Sequence, residues 1–287
     1  MSNIVLGSAT QQNLLALQNI NTQLSSTQNA LATGLKVSSA VDNAVLYFES
    51  QSLTDRANDL SNRKDSIDQG ISSVTAATQG IQSAISILQQ MQGIVQSAKT
   101  ETTAEQAAAA TQFNTLAAQL NNLLNDTSYQ GLNLVNSSSA SLSLQFSQTS
   151  SSSLTVAGQN LLISKSISVG ATASVLATAL AGATFSTAVS ANTASVFDIV
   201  YNALNNSIST FQAAAATLGS NVSFLQTRLS FTENYIQTLQ GGSSKLTVAD
   251  VNTESTNLVT LQTRQQLAIQ SLSIATQSEQ SVLRLFH

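Results

Sequence analysis

The 287-residue chain contains no cysteine and no proline, and its single histidine, His287, is the last residue. Without Cys there can be no disulfide frame, thiolate nucleophile or Cys-type metal site. Without an internal His, His-based catalytic triads and His-rich metal sites have nowhere to form. Average usage of about 5% would give roughly 14 prolines in a chain of this length. Their absence removes slow X-Pro isomerisation from folding, as the absence of Cys removes disulfide reshuffling. Both would suit a chain delivered unfolded that must fold promptly. A helix-rich sequence avoids Pro in any case, because Pro is excluded from helix interiors.

Charge is also scarce. Asp, Glu, Lys and Arg make up 8% of the residues, against roughly 25% in typical soluble proteins. Gln, Asn, Ser and Thr occupy the polar positions instead. The net charge is −4, and the ten basic residues are scattered singly except for Arg63 and Lys64, so no basic patch exists to neutralise nucleic-acid phosphates. No window approaches ~18 consecutive apolar residues, so no membrane insertion is expected. The N-terminus lacks the basic first segment of a secretory signal, and Gln11, Gln12 and Asn13 interrupt any apolar run.

What is present is a long seven-residue repeat. Leu46, Leu53, Leu60, Ile67, Val74, Ile81, Leu88 and Val95 form one unbroken apolar column, the pattern of a helix packed along its length against others. A continuous helix over this span would be ~85 Å long, so other segments must cover its stripe. A second long helix is expected over 195–240. One of its columns is Tyr201, Ile208, Ala215, Val222, Leu229 and Ile236; the other is Leu204, Phe211, Leu218, Leu225, Thr232 and Leu239. Gly241 and Gly242 are expected to end it. A shorter helix is read at 104–125, carrying Ala109, Phe113, Leu116, Leu120 and Leu123.

Both ends carry apolar stripes, and after Glu254 only Arg264, Glu279 and Arg284 are charged. Residues 1–35 carry no charged side chain. Leu17, Leu24 and Leu31 recur at seven there, joined by Leu14, Ile20 and Leu35. Gly34 reads as the residue just past the helix end, with Ser38 or Ser39 capping the next helix and Asp42 completing an approximate capping box. At the other end Leu258, Leu261, Ala268, Leu272, Ala275 and Val282 form an amphipathic stripe in 246–286. Faces of this kind suit burial among copies, and the symmetry of the ends predicts that they pair.

Between them the texture changes. Tyr129-Gln130-Gly131-Leu132 reads as a turn, and Leu142, Leu144 and Phe146 alternate as do Leu154 and Val156, predicting a β-hairpin. A further strand is expected over 161–169 and a short helix over 174–181. The fold class is therefore mainly α: a long antiparallel coiled-coil bundle built from N- and C-terminal segments, with a small β-hairpin region in the middle. No phosphate-binding glycine loop occurs. The carboxylate pairs Asp55–Asp59 and Asp65–Asp68 lie among Arg56, Arg63 and Lys64 as a solvated helix face. No catalytic residue, metal site or cofactor is expected. The N-x-[ST] matches at Asn125, Asn136, Asn205 and Asn221 are what chance yields in so Ser- and Asn-rich a chain.

The stretch Leu-Ser-Ser-Thr-Gln-Asn-Ala-Leu-Ala-Thr-Gly-Leu-Lys-Val-Ser-Ser-Ala-Val-Asp-Asn-Ala at 24–44 resembles the N-terminal signature of bacterial flagellins, with Gly34, Asp42 and Asn43 at its hinge. The C-terminal run is similar to the family's closing pattern: Ala-Asp-Val-Asn-Thr-Glu-Ser at 249–255, Leu-Gln-Thr-Arg-Gln-Gln-Leu at 261–267, then Val-Leu-Arg-Leu-Phe. Tyr129-Gln-Gly-Leu resembles the family's Phe-Asn-Gly turn, and the short length is similar to alphaproteobacterial members.

The resemblance implies a filament subunit for swimming motility, exported unfolded by the flagellar type III apparatus to the extracellular flagellum. It implies 1–40 with 245–287 as an inner tube, where Leu14, Leu17, Ile20, Leu24, Leu31, Leu258, Leu261, Leu272 and Val282 would drive polymerisation. Residues 41–135 with 195–244 would form the next shell, and 136–194 a hairpin region of that shell with no large outer domain. The partners implied are other copies of the chain, an export chaperone and the export apparatus, and filament-cap and hook-junction proteins. Family members typically carry Arg and Glu in the segment read by the innate immune flagellin receptor. Here Gln90 and Gly93 stand at those positions and Ile94 at the usual Leu, which implies weakened recognition. The alternatives are a hook–filament junction protein, from which the closing Arg-Gln-Gln and Leu-Phe pattern argues away, and a secreted coiled-coil adhesin or translocator.

Overall fold

The computed structural model describes residues 8–147, 151–162 and 194–285. These form α1 (Ser8–Thr33), α2 (Ala44–Ala98), α3 (Thr103–Asp126), β1 (Ser141–Gln145), β2 (Ser153–Ala157), α4 (Ala194–Thr247) and α5 (Val251–Leu285). The expected helix at 174–181 and residues 163–169 of the expected third strand lie outside the described residues. Leu161 and Leu162 are not in a strand; Leu161 is buried, and its N–H donates to the Val135 carbonyl at 2.9 Å. The chain divides into two compact units, residues 1–58 with 236–287 and residues 59–235. The division is by compactness, not by filament shell.

In the unit of residues 59–235 the apolar columns become a single core. Ile67, Val74, Ile81, Leu88 and Val95 of α2 meet Phe113, Leu120 and Leu124 of α3 and Leu204, Phe211, Leu218 and Leu225 of α4. Leu144 and Val156 of the hairpin complete it. The hairpin is antiparallel with Leu142 opposite Val156 and Leu144 opposite Leu154. Alternation puts one side chain of each strand, Leu144 and Val156, fully into the core. Polar ties hold α2 beside α4: the Gln92 amide donates to Asn205 at 2.6 Å, Lys64 pairs with Glu233 at 3.5 Å, and Lys99 pairs with Asp198. The turn at 129–132 is closed by reciprocal bonds between Tyr129 and Leu132 at 2.9 and 3.0 Å, with positive φ at Gln130 and Gly131. Positive φ at both central residues is the requirement of a type I′ turn.

Two glycines of α2 are there for close approach. A Cβ at Gly70 would lie 2.4 Å from Leu144 Cδ1, and one at Gly80 2.4 Å from Thr127 Cγ2. The hairpin and the end of α3 press onto α2 at these points, so packing, not helix propensity, selects glycine there.

Two helix boundaries differ from the sequence expectation. Helix α4 does not end at Gly241–Gly242 but runs through them to Thr247. Ser243 lies against α2, where its hydroxyl donates to the Ser50 carbonyl at 3.2 Å and sits 3.0 Å from both the Ser50 and Thr54 hydroxyls. That buried hydroxyl cluster offsets the helical cost of two glycines, up to ~1 kcal/mol each. Helix α2 starts at Ala44, and its N-cap is Asn43 rather than Ser38 or Ser39: the Asn43 Oδ1 accepts from the Leu46 N–H at 3.1 Å.

Candidate functional site in the paired terminal helices

The unit of residues 1–58 and 236–287 contains both chain ends, and α1 packs along α5. Leu17, Ile20, Leu24 and Leu31 of α1 are half-buried, as are Leu258 and Leu272 of α5, while Leu261 is buried. Leu14 is exposed. Val282 belongs to α5, but its side chain lies outside the described residues. An amide bond crosses between the helices, the Gln265 Nε2 donating to the Asn21 Oδ1 at 2.7 Å. Amides thus do the work that ion pairs do in charge-rich coiled coils.

Pairing does not exhaust the apolar surface. Leu15 of α1 and Val259, Leu267, Ile269 and Ile274 of α5 remain more than half exposed. Large apolar side chains therefore remain outward on both members of the helix pair.

The two connections feeding this pair are themselves joined. Gly34, at φ +72°, ends α1 in the left-handed conformation. Leu35 then forms an isolated antiparallel bridge with Val248. The Thr247 carbonyl accepts from Lys36 at 2.8 Å and Val37 at 3.3 Å, and the Ala249 N–H donates to the Gly34 carbonyl at 2.9 Å. Val37 and Ala249 are buried beside this strap.

Each connection is ordered by one carboxylate. Asp42 accepts from the Ser38 hydroxyl and N–H and the Ser39 N–H at 2.9 Å, and from the Ser39 hydroxyl at 3.1 Å. The Ser38 hydroxyl bond leads the causes that hold the Asp42 carboxyl below the usual Asp range. Asp250 caps α5, accepting from the Thr253 hydroxyl and the Asn252 N–H at 3.0 Å, and its carboxyl is lowered chiefly by the Thr253 hydroxyl. The Asp42 role differs from the expected capping box: it bonds backwards to the loop and leaves the helix start to Asn43. The strap and the Asp250 cap were missed in the sequence reading. Asp250-x-x-Thr253 before an apolar run was a visible signal for the cap; nothing local announces the strap.

Of the segment expected to meet the innate receptor, Gln90 and Gly93 are exposed, and Ile94 is half-buried against the core. These three belong to the other compact unit. Among the described residues no helix is long and apolar enough to cross a membrane.

Both ends of the chain match known proteins. The bacterial flagellin N-terminal helical region matches residues 4–140, and the bacterial flagellin C-terminal helical region matches residues 201–286. A flagellin of Brucella melitensis is 30% identical over 289 residues, covering 100% of this chain and 99% of its own. Flagellin FljO of Caulobacter vibrioides is 28% identical over 278 residues, 95% of each chain. Flagellin C of Rhizobium meliloti is 28% identical over 320 residues, covering 100% of this chain and 99% of its own. Matched at both ends and along its whole length, the chain belongs to the bacterial flagellin family, whose members are the structural subunits of the extracellular flagellar filament.

Proposed function

We propose that residues 1–40 and 245–287 form the inner tube of the filament, that 41–135 with 195–244 form the surrounding shell, and that 136–194 adds a hairpin region to that shell without a large outer domain. The observation that carries this reading is the α1–α5 pair, which leaves Leu15, Val259, Leu267, Ile269 and Ile274 exposed. Neighbouring copies would cover these side chains together with Leu14 and extend the seam of Leu17, Ile20, Leu24, Leu31, Leu258, Leu261, Leu272 and Val282. The chain acts as a structural rather than catalytic protein. An export chaperone would shield the apolar ends before export through the type III apparatus, and cap and hook-junction proteins would meet the two ends of the growing polymer. Deleting residues 1–35 tests the inner-tube assignment. Filaments should be abolished in seeded polymerisation while far-UV circular dichroism shows a folded helical middle; normal filaments from the truncated chain would overturn it.

Gln90 and Gly93 offer no charge where relatives of the family typically present Arg and Glu. Charged hydrogen bonds are worth about 1.5–3 kcal/mol each, so receptor activation should be weak. A reporter-cell response at doses typical of potent flagellins would contradict this.

A further inference from the structure

In the unit of residues 59–235 the outward side of α4 carries Phe224, Arg228, Phe231 and Tyr235, spaced four, three and four residues apart and therefore on one helical stripe. Phe224 and Phe231 are 51% and 53% exposed. Phe146, arriving from the end of β1, packs edge-on against Phe224 with ring centroids 6.0 Å apart, and Phe231 stacks on Tyr235 at 5.8 Å. The Arg228 guanidinium lies between two of these rings, 5.0 Å from the centroid of Phe146 and 5.0 Å from that of Phe231.

Among the described residues no carboxylate pairs with Arg228. Its Nε is buried and has no hydrogen-bond partner. The ion pairs among the described residues are Arg63–Asp59, Lys64–Glu233 and Lys99–Asp198, and none includes Arg228. Residues 148–150, which follow Phe146, and residues 163–193 contain no Asp or Glu, so neither segment can supply the missing carboxylate. Aromatic faces stabilise a cation but accept none of its in-plane N–H bonds. Burying the Arg228 Nε between rings with no acceptor is unfavourable unless something outside brings one. The same clamp pre-orders the side chain, so an incoming carboxylate would bind without the usual cost of immobilising an arginine.

We propose that this aromatic–arginine clamp is a contact between copies of the chain, in which Arg228 receives a carboxylate of a neighbouring subunit and Phe224 and Phe231 are covered with it. The inference rests on the filament reading. A second copy suits the clamp in charge: the chain carries 14 acidic against 10 basic residues, and Asp65 and Asp126, in the same compact unit as the clamp, are exposed and stand outside the ion pairs among the described residues. Exposed aromatic side chains gathered in one patch with a half-buried arginine are the composition from which interface hot spots are drawn.

Seeded polymerisation of full-length wild type, Arg228→Gln, Arg228→Lys and Phe231→Ala tests it. Arg228→Gln should raise the critical concentration about ten-fold or more, the size expected for losing one charge-assisted contact. Arg228→Lys should raise it less, and Phe231→Ala should also raise it. Monomer helicity and melting temperature should stay at wild-type values; because Phe231 is exposed, its variant keeps the test valid if an Arg228 variant is destabilised. Filaments of Arg228→Lys assembled from isotopically light and heavy copies and treated with a carbodiimide should show an amide link from position 228 to an Asp or Glu of the other copy. Unchanged critical concentrations, or links confined to one copy, overturn the proposal and leave the filament reading standing. Failure of the wild-type protein to extend seeds removes the filament reading and this proposal together.

Discussion

Asp42 and Asp250 show how much a single carboxylate can organise in a chain that has few. Each accepts several N–H and O–H bonds from residues close by, Ser38 and Ser39 for Asp42 and Thr253 and Asn252 for Asp250, which hold its carboxyl below the usual range. Glu105 does the same at the start of α3, where it accepts from the Thr102 N–H at 2.9 Å and hydroxyl at 2.7 Å. Because the folded-state pKa lies below the unfolded value, the unfolded chain takes up the proton first as pH falls. The stabilisation is fully present above the unfolded pKa of about 4 and is lost as pH drops towards the lower folded value. Melting temperature measured between pH 6 and pH 3 should therefore fall on the acid side. Asp42→Asn should lower it at pH 6 and flatten that fall, and an unchanged pH profile would count against the loop role of this carboxylate. All three groups are solvent-exposed, so the effect of each alone is small.

At the scale of elements, the interior glycines of α2 divide into two kinds. Gly80 faces Thr127, whose hydroxyl also donates to the Leu123 carbonyl at 2.6 Å, so the neighbour is held in place. Gly93 faces open space. Gly80→Ala should lower stability by about 1–3 kcal/mol through overpacking, and Gly93→Ala should raise it by up to ~1 kcal/mol through helix propensity. Urea unfolding of both variants would check the pair, and equal effects would show that α2 and the end of α3 are less closely packed than they are here. The other element-level lesson lies at helix ends. Gly34 ends α1 as its position after an apolar run suggested, yet Gly241 and Gly242, with the same signal doubled, lie inside α4. The difference is the Ser50–Thr54–Ser243 hydroxyl cluster, which keeps α4 against α2 beyond the glycines. Buried Gln106 is a comparable case: its amide donates to the Ala98 and Glu101 carbonyls at 3.0 and 3.2 Å and so caps α2 from the next helix, something no spacing within α2 announces.

Across the whole molecule, the absent residue types make a kinetic prediction. With neither Pro nor Cys in the chain, no prolyl isomerisation or disulfide exchange can limit refolding, so the phase of 10–100 s typical of proline-containing chains should be missing. Stopped-flow and manual-mixing refolding from urea, with and without a prolyl isomerase, would check this; a slow phase accelerated by the isomerase would contradict it. Much of the architecture was legible in the sequence alone. Heptad columns such as Leu46 to Val95 determine that α2 must be covered by other helices, because an apolar stripe recurring every seven residues stays on one side of a helix. Alternation at Leu142, Leu144 and Phe146 determines the hairpin for the corresponding reason with period two, and the absence of charge from residues 1–35 determines that the first helix seeks a partner. What only the tertiary structure decided are the features made by residues far apart in the chain: the Leu35–Val248 strap, the hydroxyl lock at Ser243, the glycine demanded at position 80, and the clamp that holds Arg228 between Phe146 and Phe231 with its Nε lacking an acceptor. Periodicity and capping signals act over a few residues along one backbone, whereas these depend on how closely two separate backbones approach, and that distance is settled only when the core packs.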